Sequence, residues 1–361
     1  MVLGRRLTLL AALLLVALPG PGRADDPPRL SGSLVSYVEN DWYARSTNKQ
    51  LELNDLYLSS NLYTALRLDE RFTVNGELKL DVVRSAGDDR YFADEGVWLR
   101  QLTLDYKDGN LGLFAGKHTL PFGQAFDLAP GIYGAGFSDD YKLVEHLSIG
   151  GKLDLAPNAL GLTAVNTEVF MFDSTGLSTA VGARAPFTAA DVIRVNRVRR
   201  SHGGAGNTDD LSSALIGVEG KASETGWAAT LLHRRDGVGG TDPERGVALT
   251  LLPPERSIGD WRLDTIVEAV QLWNYNGDSD DQRYLTAGAR ASRGGFFVTA
   301  LGGLREVDRP TGGDDSDHLL TASTGYDFPG GISLESGWLR SRQANVRTDV
   351  LGLLLTITRS F

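Results

Sequence analysis

The chain has 361 residues, with 46 acidic and 36 basic side chains and a formal net charge of −10. This acidic balance argues against nucleic acid as the main partner, and the absence of cysteine excludes disulfides. The mean hydropathy of −0.16 is that of a water-soluble protein. A transmembrane β-barrel has a similar average, however, because only alternate residues of its strands face lipid.

The start of the chain predicts a secretory signal peptide. A basic pair, Arg5-Arg6, precedes the apolar run Leu7–Leu18, and a small-residue cleavage site follows. The run is too short to span a membrane comfortably, and no later run approaches the roughly 20 apolar residues of a membrane helix. We therefore expect residues 1–24 to be a signal peptide and residues 25–361 to form one mature domain.

Apolar and polar residues alternate along much of this mature chain. Three segments are clear cases: Leu56–Leu68, Phe72–Val83 and Lys142–Leu155. A period of two places the two sets on opposite faces of a β-strand. Each segment is longer than the usual strand of a soluble protein and long enough to cross a bilayer at a tilt.

Breaks between the alternating segments are of two kinds that take turns along the chain. Seven are short and rich in Gly, Pro, Asn and Asp, and eight are longer and polar. The longer ones lie near 44–50, 86–95, 121–141, 173–211, 237–244, 275–281, 306–317 and 341–346. This rhythm predicts an all-β, transmembrane, antiparallel β-barrel of about 16 strands, with 14 and 18 left open.

Charged residues in the middle of the polar faces fit a water-filled lumen. Examples are Glu77, Lys79, Asp81 and Glu268. The alternative is a secreted β-sandwich, whose solvent-exposed face could also carry charges but whose strands are shorter. Aromatic residues near the strand ends favour a membrane and predict two interfacial girdles. The candidates are Trp42, Tyr43, Trp98, Tyr106, Trp227, Trp261, Trp273, Tyr326 and Trp338.

The third long break, Pro121–Tyr141, has 21 residues and is rich in Gly, Pro and aromatic residues. The stretch leading into it, Gly116-Lys117 followed by Pro121-Phe122-Gly123, resembles the corresponding motif of porins of the phosphate-selective type. In sixteen-stranded porins the third long loop folds into the barrel and narrows the pore. The resemblance therefore implies an inward constriction loop here, whereas we do not transfer the phosphate selectivity.

Selectivity in such a channel depends on the charges that face the narrowest point. On the constriction loop we single out Phe122, Asp127, Tyr133, Asp139 and Asp140. On the opposing pore wall we expect Lys79, His146 and Lys152, which lie on polar strand faces. Loop capping and turn formation is the alternative role of the aspartates. Lys117 is in phase with Leu113 and Ala115, so it should point outward unless a bulge intervenes.

The last strand carries Leu351, Leu353, Leu355, Ile357 and Phe361 on one face and Gly352, Thr356, Thr358 and Ser360 on the other. It resembles the C-terminal strand of Gram-negative outer-membrane proteins. In that family the closing phenylalanine is part of the signal read by the barrel assembly machinery, so Phe361 is the candidate assembly signal. Arg359 departs from the family pattern, which has an apolar or aromatic residue there.

No catalytic motif is present: the sequence contains no His-Glu-x-x-His, no Gly-x-Ser-x-Gly and no phosphate-binding loop. We therefore expect no enzyme activity, no cofactor and no metal. The resemblance implies an outer-membrane porin, a homotrimer in contact with lipid and lipopolysaccharide, that passes small hydrophilic solutes and ions. An anion-selective channel, a barrel enzyme and a structural or adhesive barrel are the alternatives. The solute and the sign of the ion preference are left open.

Overall fold

The structure, a computed structural model, describes residues 27–156, 158, 161–182, 200–238 and 242–361. The predicted signal peptide lies outside this range. The strands are Arg29–Ser46 (β1), Asn54–Arg67 (β2), Phe72–Val82 (β3), Arg90–Tyr91 (β4), Glu95–Asp108 (β5), Leu111–His118 (β6), His146–Asp154 (β7), Leu162–Phe172 (β8), Ser213–Ala222 (β9), Thr225–Arg234 (β10), Glu244–Leu252 (β11), Arg256–Ile258 (β12), Trp261–Trp273 (β13), Asp281–Arg293 (β14), Phe296–Asp308 (β15), Asp315–Phe328 (β16), Ile332–Gln343 (β17) and Val346–Ser360 (β18).

One short α-helix, Ala125–Leu128 (α1), and several single 3-10 turns complete the described part of the chain. These turns are Lys49–Leu51, Gly136–Asp140, Gly176–Ser178, Arg200–His202 and Tyr275–Gly277. Among the residues that the structure describes, no helix is both long and apolar enough to cross a membrane.

All strands belong to a single sheet that closes on itself. β1 pairs antiparallel with β2 along one edge and with β18 along the other. The two shortest strands, β4 and β12, lie within connections, so sixteen long strands form the wall. The predicted all-β, sixteen-stranded antiparallel barrel is confirmed. Closure leaves no free sheet edge, which is what a β-structure needs to cross a lipid bilayer.

The two faces of the wall follow the predicted alternation. In β18, Leu351 and Leu353 point outward and are exposed, whereas Val350 and Gly352 point inward and are buried. The inward set of β3 is Glu77, Lys79 and Asp81. A belt of exposed leucines and other apolar side chains thus surrounds the barrel, and polar side chains line much of its interior.

Short and long connections alternate, so the barrel has a turn end and a loop end. At the loop end the connections are 47–53, 83–94, 119–145, 173–212, 235–243, 274–280, 309–314 and 344–345. The expected long break near 341–346 is wrong: it is a two-residue hairpin, Ala344-Asn345, with φ of 46° and 66°. Two positive φ angles match the twist of paired strands. At the turn end, the expected tight break Pro253-Pro254 is instead the longer connection 253–260, which contains β12.

The last residue completes the seam between β1 and β18. Phe361 and Gly32 exchange two backbone hydrogen bonds of 3.0 Å each. Ile357 pairs with Ser36 and Leu351 with Trp42 along the same seam. The final strand is therefore paired with β1 up to its last residue, whereas its register with β17 ends at Ile357.

The aromatic residues agree only partly with the predicted girdles. Trp42, Trp273 and Tyr326 are exposed on the outer face. Trp98, in contrast, pairs with the inward Lys79 and is 4% exposed. Its indole Nε1 donates a hydrogen bond to Glu145 Oε1 over 3.0 Å. Tyr43 also has the inward parity of Asp41, so neither Trp98 nor Tyr43 belongs to a lipid-facing girdle.

Candidate functional site

The connection between β6 and β7, residues 119–145, is the candidate functional element. It contains helix α1 and the 3-10 turn Gly136–Asp140. Gly123, Gly131 and Gly136 adopt positive φ angles of 72°, 100° and 50°. Glycine reaches this region at no steric cost, so these three positions let the loop fold back on itself as a compact unit.

The first half of the loop binds to Glu268, which points inward from β13 and is 1% exposed. Glu268 Oε2 accepts hydrogen bonds from Gln124 N and Thr250 Oγ1, each over 2.5 Å. Its Oε1 accepts from Tyr141 Oη over 2.7 Å and from Ala125 N over 3.1 Å. Three of the four donors belong to the loop, so this one carboxylate holds both ends of the loop against β13.

The second half reaches strands on either side of the barrel seam. Ile132 N donates to Glu335 Oε1 on β17 over 2.8 Å. Tyr133 Oη donates to Asp41 Oδ1 on β1 over 2.7 Å. Near the end of the loop, Asp140 accepts a hydrogen bond from Arg305 Nη1 on β15 over 2.8 Å. The loop thus spans contacts from β13 to β1.

Glycines on the inward face of the wall make room for the tip of the loop. A Cβ atom at Gly337 would collide with Ile132, and one at Gly352 would collide with both Ile132 and Tyr133. At Gly288 it would meet the ring of Pro130. The wall is therefore shaped to receive the loop.

An apolar core lies between the loop and the wall. Phe122, Phe137 and Tyr141 of the loop pack there against inward side chains of β8 to β16. Those wall residues are Phe170, Leu215, Leu232, Ala248, Val270, Leu272, Tyr284, Leu301 and Leu319. Burying such side chains stabilises by roughly 1.5–3 kcal/mol each, so the loop is held as firmly as a core element.

A polar cavity of about 360 Å³ remains between the loop tip and strands β1 to β3. Tyr37, Glu39, Tyr57, Ser59, Lys79, Asp81, Ile132 and Leu354 are among its lining residues. Lys79 forms an ion pair of 2.7 Å with Asp81. Nearby, Arg90 makes a bidentate pair with Asp55, with N–O distances of 2.6 and 2.7 Å. Four carboxylates, counting Asp41, face two cations in this region.

The five loop residues singled out from the sequence occupy different environments. Phe122 is buried in the apolar core, and Tyr133 contacts Asp41. Asp127 is mostly exposed and pairs with Lys142 within the loop. Asp139 is exposed, whereas Asp140 pairs with Arg305. The structure therefore does not gather the three aspartates at one point.

The three expected wall residues are also separated. Lys79 lines the polar cavity. His146 is 2% exposed and packs between Phe170 and Phe172, so its expected place on an open pore wall is wrong.

Lys152 pairs with Glu219 toward the turn end. Lys79 of β3 is the register partner of Trp98 on β5. Lys152 of β7 is the register partner of Gly112 on β6, and Gly112 in turn is the partner of Lys107 on β5. Those two positions are nine residues apart on β5, or about 30 Å along the strand. Lys79 and Lys152 therefore do not form one wall of a single constriction.

Lys117 is buried, although its position in the strand alternation predicts an outward and exposed side chain. Its register partners are Leu102 and Leu147, as expected for an outward residue. The segment after β8 covers it, however, and it is 1% exposed. Its Nζ lies 2.9 Å from Asp173 Oδ2 and 3.1 Å from Glu145 Oε2. Burial acts to raise the pKa of Asp173, but hydrogen bonds from Ser178 and Thr175 and the ammonium of Lys117 hold this pKa below its ordinary value.

We expect Lys117→Met to destabilise the barrel by about 3 kcal/mol, because it removes the ammonium from between two buried carboxylates. Urea-induced unfolding in detergent, followed by tryptophan fluorescence, measures this loss. Lys152→Met is the matched control. It removes a solvent-exposed ion pair with Glu219, which contributes about 1 kcal/mol at most. Equal losses for the two variants would contradict a structural role for Lys117. Because the pKa of Asp173 is lowered, the stability that it contributes is present at neutral pH and lost in acid.

Among the residues that the structure describes, no group of three or more His, Cys, Asp or Glu side chains is placed to hold a metal ion.

The chain matches no protein-family model and no curated protein. Its fold is similar to solved bacterial barrels. The outer-membrane channel DcaP of Acinetobacter baumannii is 12% identical, with a TM-score of 0.60 over 92% of this chain and 96% of that one. OmpF of Salmonella typhi, solved in complex with daunomycin, is 10% identical, with a TM-score of 0.60 over 93% and 99%. OccK2 of Pseudomonas aeruginosa, solved with glucuronate, is 13% identical, with a TM-score of 0.52 over 94% and 100%. The barrel thus has the fold of outer-membrane channel proteins.

Proposed function

We propose that this protein is an outer-membrane channel through which small hydrophilic solutes and ions diffuse passively. The observation that carries the proposal is the course of loop 119–145, which contacts inward side chains from β13 to β1 and borders a polar cavity at β1 to β3. A closed barrel crossed by such a loop offers a restricted polar path. The outward apolar belt supports a membrane location, with the loop end toward the cell exterior.

Acidic side chains outnumber basic ones in and near the cavity. Glu39, Asp41, Asp55 and Asp81 outnumber Lys79 and Arg90. An excess of carboxylates near a narrow path raises the local cation concentration. We therefore propose weak cation preference and do not favour an anion- or phosphate-selective channel. The predicted homotrimer, the assembly-signal role of Phe361 and contact with lipopolysaccharide stay predictions.

Single-channel recording in planar bilayers tests the channel proposal directly. We expect discrete conductance steps for the wild-type protein and clearly larger steps after deletion of residues 122–139, because the loop then no longer narrows the lumen. Deletion of Gly312-Gly313, in a short connection at the same end, is the control and should leave the step size unchanged. A protein that inserts but conducts no ions would contradict the proposed function, and an unchanged step after loop deletion would reject the constriction.

A further inference from the structure

The outer face near the β17–β18 hairpin changes abruptly from apolar to basic. Trp42, Leu351 and Trp338 share one row across β1, β18 and β17. Two residues nearer the loop end, the next row is Arg45, Asp349 and Arg340. Arg340 Nε donates to Asp349 Oδ1 over 2.7 Å. Each step of two residues advances about 6.6 Å along a strand, so this charged row lies just beyond the aromatic row.

The following row places two arginines directly opposite one another. Arg342 and Arg347 are register partners, and both are exposed on the outer face. His318 of β16 is the register partner of Arg342 on its other side. Like charges directly opposite each other in a sheet are destabilising. The two-residue turn Ala344-Asn345 fixes the register of the hairpin, so Arg342 and Arg347 cannot slide apart.

These side chains form a basic surface, which we call the rim patch: Arg45, Arg340, Arg342, Arg347 and His318. Asp349 is the carboxylate that pairs within it. Four arginines against one aspartate leave a formal charge of +3. On another part of the same rim, by contrast, the basic side chain is matched by acidic ones: Arg283 lies 2.7 Å from Asp308 and 3.5 Å from Glu306.

We propose that the rim patch binds the phosphate group of a phosphorylated membrane lipid, with Arg342 and Arg347 as its main ligands. This inference rests on the proposed membrane location. The guanidinium groups match a phosphate in charge and hydrogen-bonding geometry. The apolar row beneath the patch, at Leu351, would accept the acyl chains of the same molecule. A bound phosphate also relieves the repulsion between the two arginines. A second copy of the chain packed through the same patch would instead bring more positive charge to it, which argues against a two-fold symmetric contact here.

The test uses the folded, detergent-solubilised protein and bisphosphorylated lipid A as the probe, with bound lipid counted by native mass spectrometry. Arg342→Gln/Arg347→Gln removes both proposed ligands. Arg347→Glu is a second variant that keeps the fold, because it converts the repulsive pair into an attractive one while abolishing anion binding. Arg283→Gln, on the same rim, is the matched control. We expect at least about a tenfold weaker affinity in both patch variants, since each loses charge-assisted hydrogen bonds to the phosphate, and no change in the control.

Three outcomes would overturn the lipid site: equal binding by all variants, equal binding of fully dephosphorylated lipid A, or full competition by inorganic phosphate at millimolar concentration. A change of oligomeric state in the patch variants, with lipid binding intact, would assign the patch to a protein interface instead. Bilayer conductance of the same preparations keeps the two proposals apart. Wild-type conductance together with absent lipid binding rejects only the rim patch, whereas absent conductance in every preparation rejects the channel.

Discussion

Glu268→Ala is expected to enlarge the channel. The substitution removes the acceptor of four hydrogen bonds, three of them from loop 119–145. Each donor left without a partner in this buried place costs about 1–3 kcal/mol. The apolar contacts of Phe122 and Tyr141 remain, so the first half of the loop should loosen from β13 while the rest of the loop stays in the lumen. Single-channel recording should show a larger and noisier conductance than that of the wild-type protein.

Asp264→Ala is the matched control for this experiment. Asp264 lies on the same inward face of β13, four residues away and exposed, so its loss removes the same charge without touching the loop. A rise in conductance common to both variants would reflect charge alone and would contradict the anchoring role of Glu268. A fully cooperative unfolding transition in both proteins shows that the barrel itself is intact.

Neutralising two of the cavity carboxylates is expected to abolish the cation preference. In Glu39→Gln/Asp81→Asn, the four carboxylates that face Lys79 and Arg90 become two, and Lys79 also loses its ion-pair partner. The local excess of negative charge then disappears, and with it the attraction for cations. The reversal potential under a potassium chloride gradient should move toward the anion side. Lys79→Gln should move it in the opposite direction.

The pH dependence of the same measurement has a defined sign. Carboxylates lose their charge on protonation, so cation preference should fall as the pH is lowered and should not fall as it is raised. Glu219→Gln serves as the control, because Glu219 is exposed near the turn end, where it pairs with Lys152. A reversal potential that responds equally to Glu219→Gln and to the cavity variants would place the selective region elsewhere in the lumen.

The strand architecture could be predicted from the sequence because each residue of a barrel strand faces either lipid or lumen. The alternation of apolar and polar residues shows which side each residue faces. Alternation is weakest where the inward face is apolar as well. In β11 and β15 the inward Ala248 and Leu301 belong to the core under the loop. There the sequence shows apolar residues on both faces, and the period of two fades.

The contacts of the site could not be predicted in the same way, because they join residues far apart in the chain. Glu268 was recognisable as a charged residue inside a strand, but nothing local shows that its partners are Gln124 and Tyr141. His146 has the inward phase of a pore residue, yet Phe170 and Phe172 from the next strand enclose it. Lys117 has outward phase, yet a loop covers it. The position of a residue in the alternation determines which face of the strand it lies on. Its exposure also depends on the other segments that pack against that face.

The span of the loop contacts has a consequence for the order of assembly. Ile132 is bonded to a residue 203 positions later in the chain, and Tyr133 to one 92 positions earlier. The loop can take its final place only after β1 and β17 have both joined the sheet. Until then, Phe122 and Phe137 have no wall to cover them, and their rings remain exposed on the incompletely folded chain. Closure of the seam and burial of the loop should therefore appear as one late, cooperative step in refolding.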